Sequence, residues 1–171
     1  MKNLTLRKNI PTLDFKKSKL SRKDINTINK FKSLVINNGD DGLREISKIL
    51  KEKSLNSFKV TKSEFKKADQ LLNDDIKNAI LIAYANIKKY HEKQLEGLSI
   101  KNIETTKGVK LWSEFKPIDV VGLYIPGGTA PLFSSLLMQA IPAIIAGCNN
   151  IVVCTPPNKS GNIDPAILWV A

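Results

Sequence analysis

VVGLYIPGGTAPLFSSLLMQAIPAIIAGCNNIVVC, residues 120–154, decides the fold. Val120 to Ile125 is an apolar run of strand length. A Pro/Gly turn follows, Pro126-Gly127-Gly128, and then a long apolar stretch beginning at Leu132 or Ser134 and reaching about Ala146. Gly147 is a helix stop. Ile151 to Cys154 is a second short, continuous apolar run, the pattern of a parallel strand covered on both faces. Strand, turn, helix, strand is one unit of a parallel sheet with a helical crossover. Such a unit sets its first turn at the carboxyl end of a strand, where open α/β folds bind ligands.

Moving outward, Thr155-Pro156-Pro157 turns the chain at the end of the second strand, and Ile163 to Ala171 reads as the start of another helix. The right-handed crossover rule sets this turn on the same sheet edge as the Pro-Gly-Gly loop, so the two begin a crevice. Upstream, Ile100, Ile103, Val109, Leu111 and Phe115 have a strand-like pattern, with Lys107-Gly108 as a turn. Before them come helices. One runs from Ser21, with Ile25, Ile28, Phe31 and Val35 on one face, to Asn37-Asn38-Gly39. A second starts at Asp40 or Asp41, with Leu43, Ile46, Ile49 and Leu50 as its stripe. A short extended piece at Phe58-Lys59-Val60 follows. Thr61 to Glu64 is a capping box ahead of Phe65, Ala68, Leu71 and Leu72. Asn73 with Asp74 and Asp75 opens the longest helix, whose expected buried face is Ile76, Ala79, Ile80, Ala83, Ile87 and Tyr90 and whose stop is Gly97.

The expected architecture is therefore α/β: an arm over residues 1–20, a helical region with a small β element over 21–116, and the start of a Rossmann-like parallel sheet over 117–171. The sheet is begun and not finished, so the chain reads as an amino-terminal fragment.

Charge divides the chain the same way. The formal net charge is +11, yet beyond Lys116 only Asp119, Lys159 and Asp164 are charged. The excess is mostly lysine; arginine occurs only at Arg7, Arg22 and Arg44. Phosphate-recognising surfaces use arginine's bidentate fork as well, so a solvated lysine-rich helical surface is expected rather than a nucleic-acid site. Val120 to Ile145 is uncharged and long enough to span a bilayer, but its Pro-Gly-Gly turn would leave amides unpaired in lipid, which excludes that reading. The first residues carry no apolar signal core, and Cys148 and Cys154 lack CxxC spacing, so a reduced, cytoplasmic setting is the default.

Glycine lets the Tyr124–Pro131 loop bring its backbone close to a ligand, and the amides at the following helix start favour an anion. The loop is not the GxGxxG fingerprint. Elsewhere the chemistry is sparse. His91 is the single histidine. No set of His, Cys, Asp and Glu has metal-binding spacing, and no Ser-His-Asp set can be assembled. Ser134 and Ser135 suit helix capping. A binding edge is expected, with no catalytic residue and no metal ligand assigned.

VGLYIPGGTAPLFSSLLMQAIPAIIAGC, followed by IVVCTPP, resembles the signature region of histidinol dehydrogenase, and the helical pattern from Ser21 to Tyr90, including NNGDDGLREIS, resembles that family's amino-terminal region. The IPAIIAGCNNIVVCTPP portion is also similar to the aldehyde dehydrogenase superfamily. The first resemblance implies a zinc-dependent homodimer that oxidises L-histidinol to L-histidine in two NAD-dependent steps, at the end of histidine biosynthesis. It implies that Tyr124 contacts NAD, with Pro126, Gly127 and Gly128 as backbone near the cofactor. The family's zinc ligands and catalytic Glu/His pair map to no residue here. Another NAD-linked aldehyde dehydrogenase relative and a non-catalytic basic binding protein remain as alternatives.

Overall fold

The computed structural model describes residues 20–53, 55–98, 102–127 and 130–171. The expected arm, apart from Leu20, lies outside the described residues, as do Ile100, Gly128 and Thr129. Contacts gather the chain into two compact units that meet at Leu50–Lys51, whereas the sequence places its main break at Lys116–Pro117.

In the first unit, α1 spans Arg22–Ile49. Ser21 and Asp24 form a reciprocal capping box at its start. Gly39 interrupts it with φ 54° and ψ −128°, a conformation that side-chain-bearing residues avoid, so two helical segments stand where the sequence predicts two helices. Gly42 follows so closely that a Cβ there would lie 2.6 Å from the Leu34 carbonyl carbon. The expected stripe is less covered than its periodicity suggests: Phe31 is half-buried, but Ile25, Ile28 and Val35 are exposed.

The second unit holds the remaining elements. α2 (Lys62–Leu71) starts at the predicted Thr61–Glu64 box, and α3 (Asp74–Gly97) starts at Asn73, whose Oδ1 accepts from the Ile76 amide at 2.9 Å. A hairpin of β1 (Ile103–Thr106) and β2 (Val109–Leu111) turns at Lys107–Gly108 as expected. Phe115, read as strand-like, lies outside any strand and is exposed, because β2 ends at Leu111. β3 (Val120–Tyr124), α4 (Phe133–Ile145) and β4 (Asn150–Cys154) match the expected unit to within a residue or two. Gly147 leaves α4 at φ 88°. α5 covers Pro165–Val170 and begins later than predicted, because Asp164 caps it through the Ala166 amide and Pro165 takes the first helical position.

β3 and β4 pair in parallel, Val120 against Asn150 through Tyr124 against Cys154. α4 packs between this pair and α3. On one side Leu136 is 1% exposed against Leu123, Ile125 and Ile167; on the other Leu137 and Ile141 meet Ile80. Of the face predicted for α3, Ile80, Ala83 and Ile87 are covered, while Ile76, Ala79 and Tyr90 are exposed. The sheet departs from expectation in a consequential way. β3 and β4 alternate: Val121, Leu123, Ile151 and Val153 face the helices, while Val120, Tyr124, Val152 and Cys154 face solvent. The apolar run Ile151–Cys154 is thus covered on one face rather than two among the described residues.

α5 is tied to α2 by polar contacts. Trp169 Nε1 donates to Asp69 Oδ1 at 2.9 Å, and Lys77 Nζ lies 2.8 Å from the same oxygen. The Lys77 hydrogen bond, then the Trp169 indole, hold the Asp69 carboxyl below its ordinary value. Glu64 is likewise lowered, first by the Thr61 backbone amide at 2.7 Å and then by the Thr61 hydroxyl. A lowered folded-state value means that the folded chain holds the proton more weakly than the unfolded chain. The stability each carboxylate contributes is complete above its ordinary value of about 4 and is lost as pH falls through the lowered one. Urea unfolding across an acid pH series should therefore show a limb below about pH 4 that is shallower in Asp69→Asn. An unchanged limb would remove Asp69 from the account.

Candidate functional site

Two turns meet at the carboxyl end of β3 and β4. Tyr124 is the last residue of β3 and is 63% exposed on the open sheet face, beside Cys154 in register. Its neighbour Ile125 is fully buried, and the Ile125 amide donates to the Cys154 carbonyl at 2.9 Å, extending the pairing by one residue. Alternation thus fixes the tyrosine: with Ile125 anchored in the core, Tyr124 faces outward.

Pro126 and Gly127 then carry the chain across the strand ends. A Cβ at Gly127 would lie 2.7 Å from Cγ of Pro156, so the first turn rests its bare backbone directly on the second. The predicted pairing of the Pro-Gly-Gly loop with Thr155-Pro156-Pro157 is a physical contact. Together they wall a crevice of about 170 Å³, with Pro126, Gly127, Pro131, Thr155, Pro156 and Asp164 among its lining residues. Tyr124 stands at the adjoining strand end and is not in the wall.

The loop beyond Pro157 is held by a device that the sequence reading did not single out. Asn158 Oδ1 accepts from the amides of Ser160 at 2.9 Å and Asn162 at 3.0 Å, and the Asn158 amide donates to the Asn162 carbonyl at 2.8 Å. Lys53 Nζ donates to the Ser160 carbonyl at 2.6 Å from far upstream. The signal available was Asn158 followed three residues later by Gly161, an Asx-type turn. Nothing local signals Lys53. The Asp164-Pro165 pair, a cap followed by a first-turn proline, was also legible and was read as helix interior.

Ser134 and Ser135, read as capping residues, sit inside the first turn of α4. Leu132 holds the cap position and supplies no side-chain hydrogen bond. His91 lies away from the strand ends, beside a hollow of about 260 Å³ lined by Asn86, Ile87, Tyr90 and Met138. Its Nδ1 pairs with Gln94 Oε1 at 2.6 Å, and its ring meets Tyr90 edge to face at 5.2 Å. Its Nε2 is buried with no hydrogen-bond partner among the described residues, and these contacts bring no second reactive group to the ring. Among the described residues, no group of three His, Cys, Asp or Glu side chains could hold a metal ion. No helix among them is long and apolar enough to cross a membrane.

Comparison with known proteins follows the same outline. The family model for histidinol dehydrogenase matches residues 15–171. Histidinol dehydrogenase of Bacteroides thetaiotaomicron is 48% identical over 133 residues, which are 78% of this chain and 31% of that protein. The protein of that name from Buchnera aphidicola subsp. Diuraphis noxia is 42% identical over 137 residues, 80% of this chain and 67% of its own length. The crystal structure of histidinol dehydrogenase from Elizabethkingia anophelis superposes with a TM-score of 0.79 at 41% identity, covering 90% of this chain and 35% of the other. The chain thus spans about a third of the length of the Bacteroides and Elizabethkingia relatives.

Proposed function

The chain belongs to the histidinol dehydrogenase family, and on that premise we propose that it forms the dinucleotide-binding part of an enzyme that oxidises L-histidinol to L-histidine with NAD. The observation that carries this reading is the joint carboxyl end of β3 and β4, where exposed Tyr124 stands beside the crevice at Gly127 and Pro156. Carboxyl ends of parallel strands are where open α/β sheets take their ligands.

Each residue has a distinct part in this reading. Tyr124 offers an aromatic face to a cofactor ring, and its position is set by the buried Ile125 beside it. Pro126 stiffens the turn. Gly127 and its neighbour Gly128 let backbone amides come close to the cofactor's polar groups. Two molecules of NAD bound there in turn would each accept one hydride and leave as NADH, the first from the alcohol and the second from the aldehyde after water has added to it. Asp164 is the one charged residue in the crevice wall, and its Oδ1 is engaged by the Ala166 amide; among the described residues no group of three His, Cys, Asp or Glu side chains fits the zinc that the resemblance implies. A Rossmann-like sheet and a homodimer belong to the same proposal.

Two experiments test it. Titration of the chain with NAD, followed by saturation-transfer NMR, should show contact that Tyr124→Ala weakens by about fivefold or more and Tyr124→Phe largely keeps, because stacking needs the ring and not the hydroxyl. A chimera in which this chain replaces the matching portion of the B. thetaiotaomicron relative should form NADH from L-histidinol. A folded chimera without that activity, or NAD contact indifferent to Tyr124→Ala, would overturn the assignment.

A further inference from the structure

Among the described residues, the parallel pair β3–β4 is covered on one face only. Val121, Leu123, Ile125, Ile151 and Val153 lie in or against the core beneath α4 and α5. The opposite face presents Val120, Tyr124 and Val152, exposed by 61%, 63% and 52%, with Cys154 also exposed. Just before β3, Trp112, Phe115 and Ile118 are exposed by 66%, 61% and 68%, so the apolar surface continues along the chain. Purely parallel sheets are covered on both faces, and a sheet of two strands is marginal by itself. Its outer edges also present unpaired amides and carbonyls.

We propose that this open face and its strand edges dock the part of the histidinol dehydrogenase chain that has no counterpart in these 171 residues, and that they do so when that part is supplied as a separate polypeptide. The occupant follows from lengths and fold. Matched residues make up 78% of this chain but only 31% of the B. thetaiotaomicron protein, and the Elizabethkingia relative keeps the same fold while 65% of its chain lies outside the match. A polypeptide of that length can add strands beside β3 and β4 and cover Val120 and Val152 at once. A second copy of this chain fits less well. Two-fold symmetry would set β3 against β3 antiparallel rather than extend a parallel sheet.

Cys154 is the reporter, because its thiol stands on the open face while Cys148 lies past the end of α4. The unmatched remainder of the B. thetaiotaomicron protein, tagged and co-expressed with the full 171-residue chain, should co-purify with it. Maleimide labelling of Cys154 should slow by about tenfold or more in the complex, since a covered thiol reacts only through the open state. Val152→Asp, at an exposed position and checked for folding by circular dichroism, should abolish co-purification; Ile82→Asp, equally exposed on α3, should not. Absence of a complex, labelling of Cys154 at the free rate within one, or a homodimer of this chain that alone protects Cys154 would overturn the proposal. The inference rests on the family reading of function, but its failure is separable. A complex with protected Cys154 and no NADH formation leaves docking intact and retires the activity. An active chimera without a two-chain complex does the reverse.

Discussion

Replacing Leu136 by alanine is expected to lower the stability of the unit beyond Leu50 by about 2–5 kcal/mol, the range for deleting a large aliphatic side chain from a closed core. Leu136 is 1% exposed and fills the space between β3 and α5, touching the cluster of Leu123, Ile125 and Ile167. Those neighbours are fixed by sheet pairing and by the Asp164 cap, so little collapse can fill the gap. Domains of this size are stable by only about 5–15 kcal/mol, so the loss is a large part of the total. Thermal unfolding followed by circular dichroism at low protein concentration should show the midpoint falling by about 10 °C or more. Met138→Ala is the comparison: it lies on the same helix but is 53% exposed, and should cost under about 1 kcal/mol. Equal effects of the two substitutions would show that α4 is not buried as described.

The second large effect is expected at Gly127. Valine there would drive its branched side chain into the Pro156 ring, since even a Cβ would lie 2.7 Å from Cγ of Pro156. A pyrrolidine ring cannot rotate out of the way, so the two turns must part. Overpacking of this kind costs about 1–3 kcal/mol. Here the strain falls on the crevice mouth rather than on the core, so NAD contact should weaken by about tenfold or more, while circular dichroism stays unchanged. Pro156→Gly should recover part of the loss when combined with Gly127→Val, because the cost belongs to the pair and not to either residue. Unchanged NAD contact in Gly127→Val would separate the crevice from cofactor binding. Additive effects in the double variant would deny the contact between the turns.

The two substitutions differ in how visible their grounds are from sequence. That Leu136 lies on a buried helix follows from the uncharged run around it. That Gly127 touches Pro156 requires the parallel pairing of β3 and β4, although the crossover rule already set both turns on one edge. The helix start at Ser21, the capping box at Thr61, the break at Gly39 and the hairpin turn at Lys107–Gly108 were legible because each depends on residues three or four apart. Boundaries slipped where a local signal was overlooked, as at Asp164-Pro165. Phe115 misled because an isolated aromatic suits a strand and an exposed connecting segment equally.

By itself the sequence determined the order of elements, their ends to within a residue or two in the β3–α4–β4 unit, and the sheet edge on which the two turns meet. These depend on backbone preference, capping and hydrophobic period, all of which act over a few neighbouring residues. Only the tertiary structure decided that one face of the sheet is bare among the described residues, that Tyr124 stands on that face beside Cys154, and that Lys53 and Asp69 hold the loop before α5 and the helix itself from about a hundred residues upstream. A continuous apolar run reports that a strand can be buried on both sides, not what is present to bury it. Burial is a property of the surfaces that meet, and the partners in these contacts are brought together by folding, not by adjacency along the chain.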